Sequence, residues 1–144
     1  ICCGDNNGTL VDDLWKFDGS DWKQLRDIAN NDSDEDYDDD YAITRAGTVS
    51  FVIDGRGYIA TGTRSGVTSD YWVYDPEEDL WYGDSDDDYT PMTNVHNVSS
   101  GGSSRSYAVS FSTGKRGFVL SGSSGTSYFD DVYELLPYEQ EDVD

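Results

Sequence analysis

Apolar and polar positions alternate in short runs along this chain and show no sustained helical spacing, so the pattern predicts strands and turns throughout. The clearest run is Asp70-Tyr71-Trp72-Val73-Tyr74-Asp75. Trp72 and Tyr74 fall on one face of it, Tyr71 and Val73 on the other. Asp75-Pro76 ends the run in a turn, and Trp81 starts a further strand. Just upstream, 48–53 and 57–61 read as strands joined by an Asp54-Gly55 hairpin turn, with 64–68 as a loop. The segment 45–82 therefore holds four short strands. The same reasoning predicts strands at 10–18, 22–25, 107–112, 117–121 and 131–136. It predicts a turn at 5–9 around the hairpin pair Asn7-Gly8.

Two phrases repeat. Asp13-Leu14-Trp15-Lys16-Phe17-Asp18, followed by Trp22, matches 70–75 followed by Trp81, and Asp131-Val132-Tyr133-Glu134-Leu135 matches again. The second phrase, Val49-Ser50-Phe51 through Gly57 to Thr61-Gly62, returns as Val109-Ser110-Phe111 through Gly117 to Ser121-Gly122, 60 positions on. Arg45 and Arg105 keep that spacing. Ile1-Cys2-Cys3-Gly4 resembles the end of the second phrase, so the chain is expected to open inside a repeat. Starting at Ile1 rather than Met favours processing or truncation.

Gly62 and Gly122 ending a hairpin, the aromatic strand carrying Tyr74, and Trp81 after the turn resemble the kelch repeat of β-propellers. The resemblance implies an all-β fold, a kelch-like β-propeller segment of four-stranded antiparallel blades. It covers a partial blade at 1–25, a complete blade at 45–82 and a partial blade at 105–138. Single glycines after Cys3, Thr61 and Ser121 stand where the family usually has two, and no tryptophan follows Leu135, although Tyr138 stands near that place. Trp15, Trp22, Trp72, Tyr74 and Trp81 are expected to fill the wedges between sheets. Arg45 and Arg105 are expected to tie loops through carboxylates or carbonyls, with ligand contact as the other reading. About two and a half blades fall short of the four to eight a ring needs, so the remaining blades of the same propeller are an expected partner. The other route is ring closure by several copies.

Composition narrows function. Only 35% of residues are hydrophobic, but aromatics reach 14%, enough to argue for a folded chain. Thirty acidic residues against nine basic give a formal charge of −21, which disfavours nucleic acid and anionic membrane surfaces. No apolar run reaches the length of a membrane span. The two cysteines are the neighbours Cys2 and Cys3, too few for a structural zinc site. They read as small apolar strand residues, with a lipid-anchored cysteine near a mature N-terminus as the other reading.

Acidic loops at 30–41 and 83–90 are the densest candidate sites. Asp34, Asp36 and Asp38 alternate in the first, Asp86 and Asp88 in the second, and clustered carboxylates suit Ca²⁺. The plain alternative is a solvated loop, and neither segment has the register of an EF-hand. Tyr37, Tyr41 and Tyr89 lie in or beside these loops, either to stack on a sugar ring or to anchor the loops. His96 is the single histidine, in a polar stretch that reads as an exposed loop. Some kelch propellers are copper-radical oxidases whose site needs two histidines, a set this sequence lacks. The leading expectation is a non-catalytic binding or scaffold module presenting acidic loops to a protein or glycan partner. Extracellular, cell-surface or periplasmic placement suits weak calcium sites. The alternatives are a fragment of a propeller enzyme acting on carbohydrate, and a structural component of a cell-surface assembly.

Overall fold

The structure, a computed structural model, describes residues 1–28, 43–83, 95–97 and 104–135. It is all-β: several small antiparallel sheets and, among the described residues, no helix and so none long and apolar enough to cross a membrane. Two compact units divide the chain, Ile1–Ala46 and Gly47–Asp144.

The described residues of the first unit form two hairpins. β1 (Asp5–Asn6) pairs with β2 (Thr9–Leu10), and β3 (Trp15–Phe17) pairs with β4 (Trp22–Gln24). Asn7 at φ 53° and Gly8 at φ 89° make the turn the Asn-Gly pair predicts. The single strand predicted over 10–18 is split. Leu10 belongs to the first hairpin, Val11 N–H donates to the Gly4 carbonyl, and Leu14 bridges Cys2. Long-range backbone bonds override the alternating pattern here.

The second unit holds two four-stranded sheets. The first runs in chain order: β5 (Val49–Ile53), β6 (Arg56–Thr63), β7 (Val67–Asp75) and β8 (Leu80–Gly83). β6 and β7 extend past their predicted ends into 62–68, where Gly62 pairs with Thr68 and Thr63 with Val67. A register shift between Ala60 and Gly62 sets Thr61, at φ 61°, opposite two residues of β7, Ser69 and Asp70. This is a bulge, which bends its strand and strengthens the local twist.

The second sheet has β10 (Val109–Ser112), β11 (Gly117–Leu120) and β12 (Val132–Leu135) in order. Its fourth strand is β9 (Val95–Asn97), which precedes β10 in the chain yet pairs with β12 at the far edge. The polar pattern around His96 predicts a loop. The structure makes this stretch a strand because Tyr133, Glu134 and Leu135 offer it an open edge.

The two sheets share one core. Val49, Phe51, Ile53, Tyr58, Ala60, Tyr71 and Val73 of the first pack with Val119, Tyr133 and Leu135 of the second. Alternation along β5 puts Val49, Phe51 and Ile53 inward and leaves Ser50 and Val52 exposed. Gly117 makes the fit possible. A Cβ there would lie 2.3 Å from Phe51 Cε2, so the Phe51 ring rests on bare backbone. Burying such a ring stabilises by about 1.5–3 kcal/mol.

Candidate functional site

The feature built most fully is the corner where each second phrase ends. Cys3-Gly4, Thr61-Gly62 and Ser121-Gly122 all adopt paired positive φ: 64° and 134°, 61° and 106°, 57° and 93°. Three residues with side chains thus accept a left-handed backbone costing roughly 1–2 kcal/mol each. At two of these corners the glycine turns its N–H to an arginine carbonyl. Gly4 N–H donates to Arg45 O at 2.9 Å, and Gly62 N–H to Arg105 O at 2.7 Å. At Gly122 a Cβ would sit 2.9 Å from Ser106 O and 3.1 Å from Ala108 Cβ, so the close approach itself requires glycine.

Arg105 is 1% exposed and surrounded. Its Nη1 donates to Asp131 Oδ1 at 2.5 Å and to Ser121 O at 2.8 Å, while Nη2 donates to Asp131 Oδ2 at 2.9 Å. The guanidinium lies 4.5 Å from the Phe129 ring centroid and 4.3 Å from that of Tyr133. A planar, paired and ring-stacked cation of this kind is well compensated for burial. The bond from Arg105 holds the Asp131 carboxyl below the usual carboxylate range. In the first unit Arg45 is fully buried, and its Nε donates to Ile43 O at 2.9 Å. Both arginines engage carbonyls, and Arg105 also a carboxylate, in the described structure.

The aspartate two positions before each strand aromatic recurs as a partner. Trp15 Nε1 donates to Asp13 at 2.6 Å and Trp72 Nε1 to Asp70 at 3.2 Å; Tyr133 also bonds to Asp131. Tyr74 and Trp81 pair across β7 and β8 with centroids 5.1 Å apart, and Trp81 is buried. Phe17 and Trp22 form the equivalent pair at 4.8 Å, but Trp22 is 53% exposed. Arg56 Nε bonds Asp75 at 2.8 Å. The Glu77 backbone N–H, and secondarily Arg56, hold the Asp75 carboxyl below its ordinary range.

Cys2 and Cys3 are free, half-buried thiols, with Cys3 Sγ 3.7 Å from Ile43 O. The hydrogen bond between them lowers the Cys2 thiol and raises that of Cys3.

Asp34, Asp36, Asp38, Asp86 and Asp88, together with Tyr37, Tyr41 and Tyr89, lie outside the described residues, as does Tyr138. Among the described residues no group of three or more His, Cys, Asp or Glu side chains is placed to hold a metal ion. Sequence reasoning missed Asp131, Phe129, Asp13 and Asp70 as partners. The signal for the aspartates was present, since each precedes its aromatic by the same two positions. No protein-family model matches the chain, and no curated protein matches it either.

Proposed function

We propose that the chain is a non-catalytic binding or scaffold module, a run of kelch-like propeller blades that presents its acidic loops to a protein or glycan partner. One observation carries the reading: the buried cation Arg105 is engaged inside the repeat, by Asp131, Ser121 and two aromatic rings among its partners. That arrangement does the work of holding a sheet corner. The paired positive φ values at three equivalent corners support the kelch-like part, because they occupy the places where that family carries two glycines. Recognition then falls to the loops joining the sheets, whose acidity sets the chemistry of the partner. Calcium at Asp34, Asp36, Asp38, Asp86 and Asp88 rests on composition, and belongs in the assay as a variable.

The test is capture on a glycan array and from a protein extract, by the chain and by variants carrying Asp→Asn at those five positions, with millimolar calcium or with chelator. Capture that disappears on neutralising the loops supports the reading. Capture that is unchanged removes the loops from the binding surface and overturns it. Loss in chelator alone assigns calcium to the interface.

A further inference from the structure

Asn7-Gly8 is the one place in the chain where asparagine precedes glycine; the other five asparagines are followed by Asn, Asp or Val. That pair has a chemistry of its own. The backbone nitrogen of the second residue can attack the side-chain amide carbon of the first and close a succinimide ring. A side chain on the second residue crowds the approach, and glycine has none. The reaction needs no enzyme and no co-reactant but water.

The structure puts the pair where water reaches it and also restrains it. Asp5, Asn6, Asn7, Gly8 and Thr9 are all exposed. Asn7 and Gly8 are the whole loop between β1 and β2, which form a sheet of two strands. The attacking nitrogen is engaged: Gly8 N–H donates to Asp5 Oδ1 at 2.8 Å. A carboxylate on that N–H opposes loss of the proton, which the attack requires. To close the ring, Gly8 N must also leave Asp5 and turn to the Asn7 side chain. That gives up the bond and the turn geometry, φ 53° and 89°.

We propose that Asn7 is a site of spontaneous conversion to aspartate and isoaspartate, with Asp5 the positioning residue that holds the reaction back while the first hairpin is folded. The proposal is independent of what the acidic loops bind. Gly8 N gives up its proton and bonds Asn7 Cγ, the bond from Cγ to Nδ2 breaks, and Nδ2 leaves as ammonia with that proton. Water then opens the ring. Cleavage at Cγ leaves an ordinary backbone carrying an aspartate. Cleavage at the backbone carbonyl carbon routes the chain through Cβ and Cγ, one methylene longer. A loop this tight sets the strand register, so the longer product unpairs β1 from β2.

The repeats show what is particular to this turn. Gly66 and Gly125 stand in the loops after Gly62 and Gly122, but Ser65 and Ser124 precede them, and serine has no side-chain carbonyl to attack. Gly125 N–H is held by Ser123 Oγ at 2.9 Å, a neutral counterpart of the Asp5 contact. Asp54-Gly55 makes the same loop between β5 and β6, at φ 48° and 82°, yet ends in a carboxylate, a poorer electrophile than an amide.

The test incubates the full chain in warm, mildly alkaline buffer, folded and in urea. It follows the peptide bearing Asn7 by mass and by enzymatic methylation of isoaspartyl carboxylates. Conversion is expected at Asn7 ahead of Asp54, and slower in the folded chain than in urea by at least about tenfold. Asp5→Ala is expected to raise the folded rate by roughly threefold or more and to leave the rate in urea unchanged. Asp5→Asn keeps an acceptor oxygen and is expected to restore the slow rate. Hydrogen exchange across 5–10 should quicken in the isoaspartyl fraction and stay as it was across 49–63. No conversion in urea overturns the site. Equal rates folded and in urea overturn the restraint, as does a slower rate in Asp5→Ala, which would make Asp5 a base. Leu10→Ala weakens the hairpin without touching the turn bond. Acceleration equal to that of Asp5→Ala would give the restraint to the hairpin as a whole and overturn the role of Asp5. Unchanged exchange across 5–10 overturns the unpairing.

Discussion

The first sheet of the second unit and its sequence twin, the second sheet, use the same residues to different ends. In the first, Val49, Phe51, Tyr58 and Val73 are core. In the second, Val109, Phe111 and Phe118 occupy the same positions and leave Val109 and Phe111 exposed, while Glu134 replaces Val73 and pairs with Arg116. Identity of sequence within a repeat fixes the shape of a sheet, while its energy depends on the neighbour. A residue can be worth several kcal/mol in one copy and almost nothing in the next.

That contrast can be broken most forcefully at the phenylalanines. Phe51→Ala is expected to cost about 3–5 kcal/mol in urea unfolding and Phe111→Ala less than about 1 kcal/mol, because only the first removes a filled core position. Equal costs would mean that burial does not distinguish the copies.

The ion pairs offer the next contrast. Asp131→Asn removes the charged partner of an arginine that is 1% exposed and is expected to cost about 3 kcal/mol. Arg56→Met breaks a pair whose arginine is 34% exposed and is expected to cost about 1 kcal/mol or less. The same aspartates set the acid limb. Asp131 and Asp75 have folded pKa values held below their unfolded ones, so their contribution is complete above the unfolded value of about 4 and is lost as pH falls through the folded values. The urea midpoint of the chain should drop between pH 5 and 2, with a shallower drop in Asp131→Asn. A variant titrating like the parent would remove Asp131 from that limb.

Glycine gives a finer contrast. Gly117→Ala drives a methyl into the buried Phe51 ring and is expected to cost about 1–3 kcal/mol. Gly57→Ala, its equivalent, meets nothing nearer than Tyr74 Cβ at 3.8 Å and should stay within about 0.5 kcal/mol. The smallest effect is a gain. Ser121 is exposed at φ 57°, so Ser121→Gly relieves a left-handed backbone and should stabilise by about 0.5–1 kcal/mol after the entropy of the new glycine. No gain would show that Arg105, which bonds the Ser121 carbonyl, holds the corner without strain.

Much of this architecture is legible in the sequence because strand alternation and turn chemistry are local. The run 70–75, the Asp54-Gly55 turn and the 60-residue spacing all correspond to described strands and turns. Three things were hidden, each for a physical reason. β9 is three residues long and gains its identity from β12, nearly forty positions away. The interval 10–18 alternates well enough for one strand, but Gly4 and Cys2 claim its backbone from across the unit. Arg105 is conspicuous, yet with thirty acidic residues in the chain nothing local marks Asp131 as its mate. The candidate loops were read from charge alone, and Asp34 to Asp38, Asp86 and Asp88 stand outside the described residues.

The order of β9 has a consequence of its own. Because Val95–Asn97 lies against β12 while the chain then returns to the opposite edge as β10, cutting the peptide bonds between Asn97 and Ser104 would not separate the halves along a natural boundary. Each fragment would keep part of one sheet. The covalent seam would become a bimolecular clasp, closing or opening with concentration, so that two inert halves of this protein could report their own encounter.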